Sequence, residues 1–320
     1  MLIKIFKLAL IIMFCQTPLY SKSKTLNDFN SRNLSNYFSG IVAYENNDNS
    51  QALKFFKSSK HLIKKHDLYL ENYTYTLVLE GRIQQAISEI KQNSSKDNSN
   101  FFEAHLLLAI DSLKRKNYKK SKEHLQRSYE FINNDKLSLI IAETLKQYLY
   151  VFEENKISKI KNKFGNFSFI NEVFQRCYLN DKNTKTYFKN LINSEKDKYS
   201  RYIFFYLNYL IENDGYEEAK KITNDIDYLN SSLLISQGKK WIEDQKLSEF
   251  KKIFSCSNTT DIISEFFFLV SSLYSYEDNY KKSNLYLNIS HHLNPKFKFN
   301  LSLLAENYYL NKDYIKTLKI

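Results

Sequence analysis

One spacing recurs along this chain and constrains its fold more than any other feature. A small or apolar residue is followed four positions on by a large apolar one, and usually three later by a serine. The set reads Ala52, Phe56, Ser59; Ala86, Ile90; Ser121, Leu125, Ser128; Phe250, Phe254, Ser257; Ser283, Leu287, Ser290; and it opens once more at Thr317. The steps 52 to 86, 86 to 121, 250 to 283 and 283 to 317 are 34, 35, 33 and 34 residues. Self-similarity at this period marks stacked helical hairpins, each burying its apolar face against the next. The chain is therefore expected to be all-α, an α-solenoid of about eight antiparallel helix pairs.

Composition agrees with that expectation. Five Gly and two Pro in 320 residues leave few helix breakers, which favours long helices joined by very short turns. A hydrophobic share of 43%, with 25 Tyr and 24 Phe, supplies a continuous core and argues against wholesale disorder. The net charge of +12 would suit nucleic acid or an anionic membrane surface. The lysines, however, fall in short scattered groups such as Lys64-Lys65 and Lys239-Lys240, as they do on solvated faces. Lys, Asn, Ile, Tyr and Phe, all over-used, also share AT-rich codons. Nucleic-acid binding is not expected.

At the N-terminus, Lys4 and Lys7 precede an apolar run from Leu8 to Cys15, followed by a polar stretch with Pro18 in it. This order describes an export signal over residues 1–21, followed by a mobile polar leader over 22–32. The apolar run is well short of the ~20 residues a membrane span needs. Phe14, directly before Cys15, is too bulky for a lipoprotein site. No later apolar run exceeds the six residues of 202–207, so no transmembrane segment is expected after signal removal. The expected location is a bacterial envelope compartment, such as the periplasm. Cys177 and Cys256 lie 79 residues apart, more than two repeats. In an array whose repeats touch only their neighbours they should not meet, and both are expected to be buried thiols.

Helical spacing pairs 33–45 with 50–62, then 68–80 with 83–92 around Gly81, then 101–115 with 118–131. In the third pair Tyr118 wedges between the helices, Ser121 lets the backbones approach where they cross, and Leu125 and Ser128 face the next unit. The array reads as regular over 33–131 and 199–320 and as irregular over 132–198. In the irregular part, Ile160 with Phe164 and Tyr187 with Leu191 give steps of 39 and 27 from Ser121. Two distorted hairpins fit these steps, and a small separate subdomain over about 133–198 is the alternative. Ala219 and Phe250 resume the series.

These cores resemble the tetratricopeptide repeat family, of a bacterial exported type. The match rests on Asn117-Tyr118-x-x-Ser121-x-x-x-Leu125-x-x-Ser128, Gly215-Tyr216-x-x-Ala219, Asn279-Tyr280-x-x-Ser283-x-x-x-Leu287-x-x-Ser290 and Asp313-Tyr314-x-x-Thr317. The resemblance implies a right-handed superhelix, with Gly40 and Gly238 as the small residues of first helices and Pro295 ending a second helix. Ser often stands where the family has Ala, and the Trp expected early in the first helix is missing. The series breaks off inside a second helix at Thr317, which reads as a C-terminal truncation of a longer array.

Catalytic motifs are absent. The closest glycines, Gly215 and Gly238, are 23 residues apart, which excludes glycine-rich phosphate loops. There is no Cys-x-x-Cys, His-Glu-x-x-His or Gly-x-Ser-x-Gly. His291-His292 cannot chelate one metal, because helix neighbours point about 100° apart. They read instead as cations suited to a helix C-terminus. Glu217-Glu218 read as first-turn anions, and Trp241 as core. No catalytic residue, metal or cofactor is expected.

What remains is binding. In a curved stack the first helices line the concave side. Tyr37, Tyr44, Tyr75, Arg201, Asn208, Lys239, Glu306 and Tyr309 are the candidates there, since Tyr and Arg anchor interfaces. The expected function is a non-catalytic scaffold holding a protein or peptide in its groove. An accessory, substrate-recruiting arm of an envelope enzyme is the second expectation, and a binder of anionic lipid or polymer the third.

Overall fold

The computed structural model describes residues 31–94, 99–132, 135–158, 164–193, 201–229 and 231–320, and the expected signal peptide, most of the leader and Ile160 lie outside them. Among the described residues the chain is all-α, without strands. The first three pairs are α1 (Ser31–Glu45) with α2 (Asn49–Ser58), α3 (Tyr69–Leu79) with α4 (Ile83–Asn93), and α5 (Phe102–Lys114) with α6 (Tyr118–Ser128). Residues 31 and 32, expected in the leader, are already helical.

One link closes these pairs, and it explains how so few glycines suffice. The second residue beyond the first helix takes a positive φ: Asn47 (61°), Gly81 (70°) and Lys116 (57°), and later Asn180, Asp214, Gln245, Asp278 and Lys312. The amide of Lys116 donates to Leu113 O at 2.8 Å, and that of Asn117 to Ser112 O at 2.9 Å. The same two bonds recur at Gly81 and Arg82, at Asp278 and Asn279, and at Lys312 and Asp313. This Schellman closure satisfies the carbonyls that a helix end would orphan. The next residue caps the returning helix: Asp48, Asn117, Asn279 and Asp313 each accept an amide three positions on, at 3.1–3.2 Å.

Where the helices of a pair cross, the repeated small and large residues are buried. Ala52, Phe56, Ala86, Ile90, Ser121, Leu125, Ala219, Phe250, Phe254, Ser283 and Leu287 are no more than 2% exposed. Thr317 is half-buried and Pro295 is exposed. The serines also answer their own polarity. Ser121 Oγ donates to Ala109 O, and Ser283 Oγ to Ser271 O, both at 2.8 Å and both twelve residues back across the hairpin. A Cβ on Gly40 would come within 2.9 Å of the Phe56 ring, so only glycine lets those helices approach this closely.

The period then breaks. A single long helix, α7 (Lys136–Glu154), follows; Phe164 lies outside any helix, and Ile160, its expected partner, is not among the described residues. Pairing resumes with α8 (Asn166–Tyr178) and α9 (Thr184–Ile192), where Leu191 is buried and Tyr187 half-buried. The remaining pairs are α10 (Arg201–Glu212) with α11 (Tyr216–Asn224), α12 (Leu233–Glu243) with α13 (Ser248–Ile253), α14 (Thr259–Tyr276) with α15 (Tyr280–Leu293), and α16 (Leu301–Leu310) with α17 (Tyr314–Thr317).

The stack does not simply run on. The α14–α15 hairpin folds back and packs against α3, α4, α5 and α8. Phe266 meets Tyr148 at 6.0 Å and Phe167 at 5.8 Å. Asn288 Nδ2 donates to Leu79 O at 3.3 Å, Lys114 Nζ to His292 O at 3.1 Å, and Lys281 Nζ to Tyr44 O at 3.0 Å. One continuous apolar core runs from Tyr37 to Phe297.

This return overturns the expectation for the cysteines. Cys177, on α8, and Cys256, just before α14, form a disulfide with Cα atoms 5.5 Å apart. The rule that repeats touch only neighbours fails here because α14 packs directly on α8.

Candidate partner-binding surfaces

Most of the residues expected to line a groove are engaged by the chain itself. Tyr37 is 3% exposed and packs on His66 at 4.4 Å and Tyr69 at 5.5 Å. The ammonium of Lys281 lies 4.0 Å over the Tyr44 ring. Tyr75 donates its hydroxyl to Glu103 Oε2 at 2.6 Å. Burial, reinforced by the Glu103 carboxylate, holds the Tyr75 phenol well above its ordinary value, and burial likewise raises Glu103. Tyr44 and Tyr75 therefore gather about Glu103, at the seam with α15.

Arg201 is the most committed of them. Its guanidinium binds both Glu265 oxygens at 2.8 and 2.7 Å, donates to Asn300 Oδ1 at 2.6 Å and stacks 3.6 Å over Phe268. It ties α10 to α14 and to the turn before α16. Asn208 is fully buried and donates to Phe254 O at 3.0 Å. Lys239 donates to Ile226 O at 2.7 Å and covers Tyr228 at 4.7 Å. Only Glu306 and Tyr309 face solvent, Tyr309 being 60% exposed against Tyr314.

The histidine pair needs a correction. It was expected to serve as a cation at a helix end, but burial, aided by the nearby Lys114 ammonium, pushes His292 down to about 4. His291 is lowered by burial too, so both rings are neutral near pH 7. The acidic pair behaves as expected of first-turn anions. Glu218 accepts from Tyr206 at 2.8 Å and pairs with Lys185 and Lys189, which draw it down to about 2 against the cost of burial. Trp241 packs on Phe250 at 5.3 Å. Among the described residues no group of three His, Cys, Asp or Glu is placed to hold a metal.

A second surface was not among the expectations. A cleft of about 800 Å³ opens between α6 and α7, on Leu125, Tyr129 and Tyr150, with Arg127, Lys146, Gln126 and Gln147 around it. It lies where the regular period ends. The only signal that could have located it is that break, because its residues match no motif. Among the described residues no helix is long and apolar enough to cross a membrane. No family model, curated protein or solved structure matches the chain at a significant level.

Proposed function

We propose that this chain is a non-catalytic protein-interaction scaffold of the tetratricopeptide type, exported to an oxidising bacterial envelope compartment. The observation that carries the reading is the stack of helix pairs built on one repeated link and one repeated small-residue crossing. Folds of this kind offer extended surfaces rather than reaction centres. Export is supported by the charged and then apolar N-terminus and by the Cys177–Cys256 disulfide, since structural disulfides persist in oxidising compartments.

The inner side at α3 and α5 is taken by α14–α15, so a guest docks on outer surfaces. The test places a photo-crosslinking residue singly at exposed positions, Phe38, Tyr150, Tyr228 and Tyr309, in cells that make the full chain. A discrete protein adduct from one or two of them is the expected result. No adduct from any position would overturn the scaffold reading.

A further inference from the structure

We infer that the first helix pair seats the molecule on an anionic lipid surface, with α2 and the turn after it supplying cations and α1 supplying apolar side chains. The lysine groups that look alike in sequence are not alike in the fold. Lys185 and Lys189 are matched by Glu218, Lys246 by Asp244 and Lys252 by Glu249. Residues 49–66 instead hold five lysines, Lys54, Lys57, Lys60, Lys64 and Lys65, and no Asp or Glu. All five are exposed, on α2 and on or beside the short turn Lys60–Lys64. Lys60 pairs with Glu89 of α4 at 2.6 Å, and Asp67 stands two residues beyond Lys65. Lys54, Lys57 and Lys64 form no ion pair among the described residues. Residues 31–68 count six Lys and Arg against three Asp and Glu, a net charge of +3. Partners from outside leave that balance unchanged, because Glu89 is offset by Lys281, which pairs with Glu45 at 3.2 Å.

The apolar half of the surface belongs to the same helix pair. Phe38 and Val42, one turn apart on α1, are 55% and 59% exposed. With the half-buried Phe55 of α2, which directly follows Lys54, they line a groove of about 680 Å³. Asp48 is the one charged residue lining it, and its carboxylate is taken up in capping α2 at Gln51 N. Leu68, 56% exposed, stands just past Lys64 and Lys65. The outer face of a terminal repeat is ordinarily polar, and this one is not. Apolar side chains set among lysines suit a bilayer interface. The apolar groups enter the boundary between headgroups and acyl chains, while ammonium groups on long stems stay among anionic headgroups. Protein interfaces are poor in lysine, which argues against an acidic protein here. A nucleic-acid backbone would engage the lysines and leave Val42 and Leu68 in water. The contact is peripheral, since no helix among the described residues is long and apolar enough to cross a membrane.

The test floats the full-length mature chain with vesicles of phosphatidylglycerol and phosphatidylcholine in equal parts, and with vesicles of phosphatidylcholine alone. The expected result is binding to the anionic vesicles only, lost as salt is raised. Binding should weaken by about tenfold or more in the triple variant Lys54→Glu, Lys57→Glu, Lys64→Glu. The charge-matched variant Lys116→Glu, Lys119→Glu, Lys120→Glu, at exposed positions on or next to α6, should bind as the wild type does. Phe38→Trp should shift its emission to the blue on the anionic vesicles alone. All these positions are exposed, and an unchanged melting temperature verifies the fold of each variant. No flotation, equal flotation with neutral vesicles, equal loss in both triple variants, or an unmoved emission in Phe38→Trp would each overturn the proposal. The inference does not rest on the scaffold reading, which the crosslinking experiment tests by itself.

Discussion

The third hairpin has two faces that met different fates. Inward, α5 lies under α14–α15, and hydrogen bonds such as Lys114 Nζ to His292 O cross that seam. Outward, α6 borders a cleft whose aromatic and cationic groups remain in contact with water. The two faces share one backbone and one period, so the period does not decide which surface is left for a partner. The return of a distant hairpin decides it.

If the inner seam is welded as described, the largest effect belongs to Arg201→Ala. It strands the buried carboxylate of Glu265, and losing one partner of such a pair costs about 3–5 kcal/mol. A urea midpoint close to wild type would break the comparison at its strongest point. Cys256→Ser frees a 79-residue separation and should cost about 2–5 kcal/mol, read the same way under non-reducing conditions. Beneath the outer cleft, Ser121 meets Ala109, Leu125 and Leu149 with hardly any free volume. Ser121→Phe should therefore cost about 1–3 kcal/mol in thermal melts, and an unchanged melting temperature would count against this crossing.

Acid should remove the stability contributed by the buried neutral histidines. Burial holds His105 and His292 at about 4 in the folded chain, against an ordinary 6.5. A depressed histidine favours the fold above pH 6.5, and that contribution is lost as the pH falls from 6.5 towards 4. Asp261, raised by burial to about 6, works in the opposite sense over 6 to 3.8, and Glu103, Glu212 and Glu265, which burial also raises, act with it. The His292 contribution is read by difference: the melting temperature of His292→Gln should gain on that of the wild type as the pH falls from 6.5 towards 4. The smallest effect is a gain. Lys116 sits at φ 57°, and Lys116→Gly should add up to about 1 kcal/mol by relieving a left-handed side chain.

The local half of this architecture was legible in the residues. Ala52, Ser121 and Ser283 located three crossings because a helix pair can approach only at small side chains. Asn117 and Asn279 were legible as the first residues of their motifs, and the structure shows that they cap the returning helices. What lay beyond reach depends on contacts such as Asn288 with Leu79, 209 positions apart, for which no spacing rule exists. Arg201 reads as an interface anchor in sequence, and only the fold places Glu265, 64 residues on, against it. The disulfide was misjudged for the same reason. Tyr129, Tyr150, Arg127 and Lys146 belong to no repeat position that the period would single out, so the cleft was unreadable.

The sulfur bridge makes 177–256 a covalent ring. A protease that nicks the backbone anywhere within it leaves two fragments still tied together, and α14 still anchored beside α8. Such a molecule would survive cleavage as one particle and come apart only once a reductant reached it.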